Sequence, residues 1–265
     1  LVLNNTNIDM SKIQTTINRV SQTDYSKIPE STISKYYWVA RGIILYGNLN
    51  NYSFDNCSEI KIYRTYSSGF SGVTGILDLT KCSNLTEYFY WNTAMNVKLP
   101  NSLEKFSGVS NAIADLSLCN KLKYYYRMYP NPSVITNDLK TLNSSAQIEK
   151  IEFGKEGDLE DLSFLKDIDT SQLNEIGVYG NGSRYQPSTI KNLNGIENAL
   201  NLTILTINGS NDFIDTSAIS KCTNLKSITI SDCPNLEKVT GLQDLSKVTT
   251  LNLYNCKIGR IEGIN

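Results

Sequence analysis

One spacing pattern occurs twice between Cys222 and Cys256 and limits what this chain can fold into. Each copy places three apolar residues and a terminal cysteine in the order L-x-x-L-x-L-x-x-C, and the second copy follows the first position for position. The two sets are Leu225, Ile228, Ile230, Cys233 and Val248, Leu251, Leu253, Cys256. A unit of this kind forms one short strand that cannot bury its apolar side alone, so the pattern predicts stacked units that share a core.

The same pattern extends over most of the chain. The opening positions of ten units are Ala40, Ile60, Leu85, Leu103, Leu122, Ile148, Leu173, Leu202, Leu225 and Val248. Their spacing is uneven, shortest from Leu85 to Leu103 and longest from Leu173 to Leu202. The fourth and sixth positions should point into the core, which in the Leu122 unit places Arg127 inward. The registers of the Leu103 and Leu122 units are the least well defined.

This spacing is the signature of leucine-rich repeats. It predicts an α/β fold, a leucine-rich-repeat solenoid with one curved parallel sheet and an irregular helical or 3-10 convex side. Residues 1–38 do not repeat, and Ile13, Ile17 and Val20 recur at helical spacing there, so we predict an N-terminal helical cap. Residues 39–265 form the repeat domain of about ten units. Its last unit stops after the turn, so we expect further repeats beyond residue 265.

Several sequence runs carry a closer resemblance. CTNLKSITIS, together with CSNL at 82–85 and CNKL at 119–122, resembles the BspA-like bacterial leucine-rich repeats. The final run GLQDLSKVTTLNLYNCKIGRIEGI is similar to internalin-like repeats. The resemblance spans roughly residues 40–264. It implies a secreted or cell-surface bacterial protein, extracellular and adhesin-like, that binds molecules of a host or a neighbouring cell.

Charge and composition limit the partners. The chain has 25 basic and 26 acidic residues and no histidine, for a net charge of -1, which argues against a nucleic-acid partner. No run of 18 apolar residues occurs, so we expect no membrane insertion. The repeat frame accounts for all six cysteines as buried free thiols, and there is no C-x-x-C pair to hold a metal.

The candidate binding residues are large side chains on the side of the strands that faces away from the core, the predicted concave face. They are Tyr46, Arg64, Tyr66, Phe89, Trp91, Tyr124 and Tyr126. Aromatic residues and arginine dominate the binding energy of protein interfaces, so these positions predict a partner-binding surface. The alternative is structural, because aromatic residues also pack well across neighbouring strands and a cap can cover them.

A catalytic role has little support in the residues. Without histidine there is no Ser/His or Cys/His pair, and no glycine-rich phosphate loop occurs. We therefore predict a non-catalytic module without a cofactor that recognises a protein partner. A carbohydrate-binding module, motivated by Trp91 and the tyrosines, and a structural spacer without a dedicated ligand are the alternatives.

Overall fold

The protein is seen here as a computed structural model. It describes residues 2–4, 8–9, 44–46, 50, 52–54, 62–66, 74–91, 96–109, 112–128, 132–154, 159–180 and 188–263. The chain divides into two compact units. Unit 1 comprises Leu1–Lys121 with Thr141–Asn143, and unit 2 comprises Leu122–Lys140 with Ser144–Asn265.

Unit 1 is built from short parallel strands. They are β1 (Val2–Asn4), β2 (Ile8–Asp9), β3 (Ile44–Tyr46), β4 (Tyr52–Ser53), β5 (Ile62–Tyr66), β6 (Ile76–Asp78), β7 (Glu87–Trp91), β8 (Asn96–Lys98), β9 (Lys105–Val109) and β10 (Ala114–Asp115). Strands β5, β7 and β9 pair in chain order, β6, β8 and β10 form a second sheet, β1 pairs with β3, and β2 pairs with β4. Parallel neighbours one repeat apart are what stacked units require.

The core of unit 1 lies between these two sheets. Leu85 and Tyr88 are buried from one repeat, and Leu103 and Phe106 from the next. The rings of Tyr88 and Phe106 stack with their centroids 5.9 Å apart and their planes 7° apart. The Leu103 unit, the weakest in the sequence, therefore forms a complete strand in the predicted register.

Unit 2 contains six longer strands in one parallel sheet and two short strands outside that sheet. The longer strands are β11 (Tyr124–Met128), β12 (Lys150–Gly154), β13 (Glu175–Tyr179), β14 (Ile204–Asn208), β15 (Ser227–Ser231) and β17 (Thr250–Tyr254), and the short strands are β16 (Lys238–Val239) and β18 (Arg260–Ile261). Strands β11 to β15 and β17 pair in chain order, and β16 pairs with β18. The return segments contain helix α1 (Pro132–Thr141) and 3-10 helices at Ser163–Asp167, Ile196–Asn198 and Ser217–Lys221.

The returns differ between the two units. The two shortest repeats, from Leu85 to Leu103 and from Leu103 to Leu122, return as the short strands β8 and β10. In unit 2 the repeats are longer, as the openings Ile148 and Leu173 show, and the extra length leaves room for helical turns. The predicted helical or 3-10 return side is therefore found in unit 2.

The inner layer of unit 2 confirms the predicted frame. Facing pairs such as Ile151 with Ile176 and Phe153 with Val178 are in register and buried. The same positions of β14 and β15 carry buried leucine and isoleucine. Burying one such side chain contributes about 1.5–3 kcal/mol, so this layer is the main source of stability. In β17 the inward Leu251 and Leu253 are only half-buried.

Strand β11 departs from this apolar pattern. Its inward residues are Tyr125 and Arg127, as the frame predicted, and both are buried. The carboxylate of Asp138 on α1 accepts hydrogen bonds from the Tyr125 hydroxyl at 2.7 Å and from Arg127 Nε at 2.9 Å. Arg127 and Asp138 are 2% and 0% exposed, so the charges compensate each other inside the core.

Four of the five described cysteines are buried free thiols as predicted, whereas Cys256 is free but only half-buried. Cys82, Cys119, Cys222 and Cys233 are buried, Cys256 is half-buried, and all five are free. Burial is the main cause that raises the pKa of Cys119, Cys222 and Cys233 to about 12, which keeps these thiols neutral. Cys233 and Cys256 each follow the end of one of two paired strands and interact with each other. Cys57 lies outside the described residues.

The predicted helical cap stays a prediction. The described residues before position 38 belong to strands β1 and β2, which pair in parallel with β3 and β4. Ile13, Ile17 and Val20, on which the helix was predicted, lie outside the described residues.

Candidate binding surface

The solvent face of the unit 2 sheet is the side opposite the buried layer and corresponds to the predicted concave face. Because side chains alternate along a strand, the first, third and fifth residue of each strand lie on this face. Its N-terminal half, strands β11 to β13, carries large or charged residues, which we call the tyrosine cluster. The cluster consists of Tyr124, Tyr126, Lys150, Glu152, Glu175 and Tyr179.

Glu152 lies at the centre of the tyrosine cluster. The hydroxyl of Tyr124 donates a short hydrogen bond to its carboxylate, and the Tyr179 hydroxyl interacts electrostatically with the same group. Lys150 Nζ is 3.1 Å from Glu152 Oε1. One carboxylate thus orients Tyr124 and Lys150 and also acts on Tyr179 of the third strand.

Lys150 links Glu152 to the next strand. Its ammonium group is 2.7 Å from Glu175 Oε1 and 5.9 Å from the centre of the Tyr124 ring. Partial burial works to lower the pKa of Lys150, but the hydrogen bonds to Glu175 and Glu152 outweigh it and leave the pKa raised. Lys150 therefore stays charged, and two carboxylates share this single ammonium group.

Tyr124 and Tyr179 of the cluster stay neutral at physiological pH because both pKa values are raised. Burial, together with the hydrogen bond to Glu152, raises the pKa of Tyr124 far above its usual range. Burial and the charge of Glu152 likewise raise the pKa of Tyr179. The surface therefore presents neutral phenol rings around fixed charges.

Two glycines make room for the tyrosine rings. A Cβ atom at Gly154 would lie 2.3 Å from the Tyr126 hydroxyl oxygen, and one at Gly177 would lie 2.5 Å from a ring carbon of Tyr179. Such distances are too short for real contacts, so the ring ends of Tyr126 and Tyr179 lie over backbone without a side chain. Any larger residue at these positions would move the tyrosines.

The C-terminal half of the same face, strands β14, β15 and β17, is different. Its central row is Thr206, Thr229 and Asn252, small polar residues in register. Next to it, Asn208 Nδ2 donates to Ser231 Oγ at 2.6 Å and to Asp232 Oδ2 at 3.1 Å. These groups bond mainly to each other and offer little apolar area to a partner.

The structure places the sequence-predicted site residues in both units. In unit 1, Arg64 is in register with Phe89, and Tyr66 with Trp91, so each pair is adjacent on neighbouring strands. Phe89 is half-buried, while Tyr46 lies in β3. The side chains of Tyr46, Arg64, Tyr66 and Trp91 lie outside what the structure describes.

In unit 2, Tyr124 and Tyr126 are both half-buried members of the tyrosine cluster. Sequence reasoning missed Lys150, Glu152, Glu175 and Tyr179. The signal was present for three of them, because Lys150 and Glu175 are in the row of Tyr124 and Glu152 is in register with Tyr126, while Tyr179 is in the row of Met128 and Gly154. The prediction took only aromatic residues and arginine from the early units, so these later residues were left out.

Two further classes of site receive no support in the described part of the chain. The described residues contain no group of three or more histidine, cysteine, aspartate or glutamate side chains arranged to hold a metal ion. None of the helices among them has the length and apolar character needed to cross a membrane. The cluster offers phenol rings, amide and hydroxyl groups and carboxylates, which suit noncovalent recognition.

Comparison with known proteins gives distant structural likeness only. No protein family matches the chain, and no curated protein is significantly similar. Among solved structures, an internalin, InlF of Listeria monocytogenes, is 17% identical over 88% of this chain and 71% of that chain, with a TM-score of 0.45. A TLR13 structure, solved as a complex with ssRNA13, is 14% identical over 88% of this chain and 45% of that chain, with a TM-score of 0.41.

These likenesses are too weak to carry functional information, and the assignment of the fold rests on the molecule itself. Repeat-opening residues Leu122, Ile148, Leu173, Leu202 and Leu225 are buried, and each is followed by a parallel strand in register with the next. The chain has the fold of a leucine-rich-repeat solenoid.

Proposed function

We propose that the chain is a non-catalytic binding module that recognises a protein partner through the tyrosine cluster of unit 2. The observation that carries the proposal is the arrangement around Glu152, where Tyr124 and Tyr179 meet one carboxylate beside Gly154 and Gly177 and next to a C-terminal half rich in serine, threonine and asparagine. Tyrosine anchors among small adaptable residues are typical of antibody paratopes. Because the hydrogen bond to Glu152 already orients the Tyr124 ring, a partner loses little rotational entropy when it binds that ring.

The proposal also covers the cellular location and the biological role of the protein. We propose a secreted or cell-surface bacterial protein with an adhesin-like role, supported by the resemblance of its repeats to BspA-like and internalin-like sequences. The partner is then a surface protein of a host or a neighbouring cell. Antibodies against the chain should label intact source cells or bind it in culture fluid, and labelling only after permeabilisation would contradict this location.

A second surface is proposed in unit 1. The register of β5 and β7 places Arg64 beside Phe89 and Tyr66 beside Trp91, which is the residue chemistry of a binding hot spot. Tyr46 in β3 belongs to the same proposal. Its test is separate from that of unit 2, because Trp91→Ala changes one surface and leaves the other intact.

The experiment is a parallel screen of purified surface proteins and glycans with matched variants. A genuine ligand of the tyrosine cluster binds wild type and Thr229→Ala but not Tyr124→Ala/Tyr179→Ala. A ligand lost only with Trp91→Ala would assign binding to unit 1. If a glycan binds wild type and Thr229→Ala but not Tyr124→Ala/Tyr179→Ala, the ligand of the tyrosine cluster is a carbohydrate and not a protein. If no ligand distinguishes the variants, the chain is a structural spacer and the proposal fails.

A further inference from the structure

We infer that the tyrosine cluster contains a subsite for a basic side chain, an arginine in first place, presented by the protein partner. The subsite is formed by Glu175, Ile204 and Tyr179. The inference rests on the proposed binding function and adds to it the chemistry that the partner must present. It draws on the local charge balance, an exposed aliphatic residue and the placement of one ring.

The first step is charge. On the solvent face of β11, β12 and β13 the described charged residues are Lys150, Glu152 and Glu175, and both carboxylates bond to the same ammonium group. One negative charge of this group of three is therefore uncompensated. Glu152 also accepts a hydrogen bond from Tyr124, whereas the Glu175 carboxylate contacts only the Lys150 ammonium group among the described residues. A carboxylate accepts several hydrogen bonds, so Glu175 retains capacity for an incoming cation.

The second step is the apolar neighbour. Ile204 is in register with Glu175 on the adjacent strand, and its side chain is 37% exposed. It is the exposed aliphatic residue of this face among the described strands β11 to β15 and β17. An aliphatic group beside a carboxylate suits arginine or lysine, whose methylene stem packs on apolar surface while the charged head reaches a polar partner.

The third step is the ring of Tyr179. Its end lies over Gly177, which is in register with Thr206 on the next strand and is two residues from Glu175 on the same strand. The ring therefore closes the subsite along the strand direction. A guanidinium group packs well against such a ring and matches a carboxylate with two hydrogen bonds, which favours arginine over lysine.

The probe for the test is N-acetyl-arginine amide, with N-acetyl-citrulline amide as the neutral isostere. Titrations are followed by NMR at the Ile204 methyl and Tyr179 ring signals of the whole chain. Arginine should shift both signals saturably and citrulline should not. Glu175→Gln should lower the affinity for the arginine probe about three- to fivefold, which is the effect of losing an ordinary exposed ion pair. Added salt should weaken binding in wild type more than in this variant.

The matched control is Thr229→Ala, which lies on the same face two strands from Glu175 and should bind the probe as wild type does. Equal shifts with citrulline, no saturable shift at Ile204, or unchanged binding in Glu175→Gln would overturn the subsite. The subsite would also be overturned if an oligosaccharide shifted the Ile204 methyl signal and the arginine probe did not. If a partner is lost with Tyr124→Ala/Tyr179→Ala but retained by Glu175→Gln, the subsite fails and the proposed function stands.

Discussion

The two halves of the unit 2 sheet share one backbone architecture but differ in their side chains, both in the core and on the solvent face. In the N-terminal half, β11 has a charged pair in the core, and its solvent face joins β12 and β13 in the tyrosine cluster. In the C-terminal half, the inward residues of β14 and β15 are all aliphatic, and their solvent face consists of threonine, serine and asparagine apart from Ile204. Inward positions thus maintain the stack, while outward positions are free to specialise.

The charged core pair should produce the largest effect. Asp138→Ala leaves Arg127 buried without its counter-ion, so we expect a loss of about 3–5 kcal/mol in the free energy of unfolding. Urea denaturation measures it. The matched variant Tyr125→Phe/Arg127→Met/Asp138→Leu removes the polar groups together and should recover most of that loss. A loss below about 1 kcal/mol for Asp138→Ala would show that the core of the N-terminal half does not depend on its charged pair and does not differ from the core of the C-terminal half in this respect.

In the aliphatic half, a buried thiol should contribute to the loss of stability at alkaline pH. Burial raises the pKa of Cys222 from 9 to about 12, so this thiol stabilises the fold below pH 9. As the pH rises from 9 towards 12, the unfolded chain loses the proton first and the stability falls, by about 1.4 kcal/mol per pH unit for one such group. Denaturation at stepped pH should therefore show a shallower decline in Cys222→Ala. An identical slope would show that this thiol does not titrate differently on unfolding.

The hydrogen bond from Tyr124 to Glu152 should have a smaller effect. Tyr124→Phe removes the donor but keeps the ring, so we expect a loss of about 1 kcal/mol, less than for a fully buried bond to a charge. The corresponding change in the C-terminal half, Thr229→Ala, should stay within about 0.5 kcal/mol. Equal losses in both variants, measured by urea denaturation, would mean that the tyrosine cluster is no better ordered than the rest of the face.

The repeat frame could be predicted from sequence because it depends on local spacing. Leu122, Tyr125 and Arg127 took the buried positions that the frame assigned, even though Arg127 is charged. Its partner Asp138 lies in a return segment without periodicity, so no pattern joined the two. The tyrosine cluster was half predicted for a related reason. Tyr124 and Tyr126 stood out by residue type, but the role of Glu152 depends on interactions with side chains of two other strands.

The measurement that tests the account most directly is the affinity of the identified partner for Tyr124→Ala/Tyr179→Ala and for Thr229→Ala, by isothermal titration calorimetry. Circular dichroism of each variant confirms that the fold is retained. If the tyrosine cluster is the binding surface, the double variant loses about 2 kcal/mol or more, roughly a thirtyfold weaker affinity, while Thr229→Ala binds as wild type does. Equal affinity for both variants would show that the solvent face of β11 to β13 does not bind the partner.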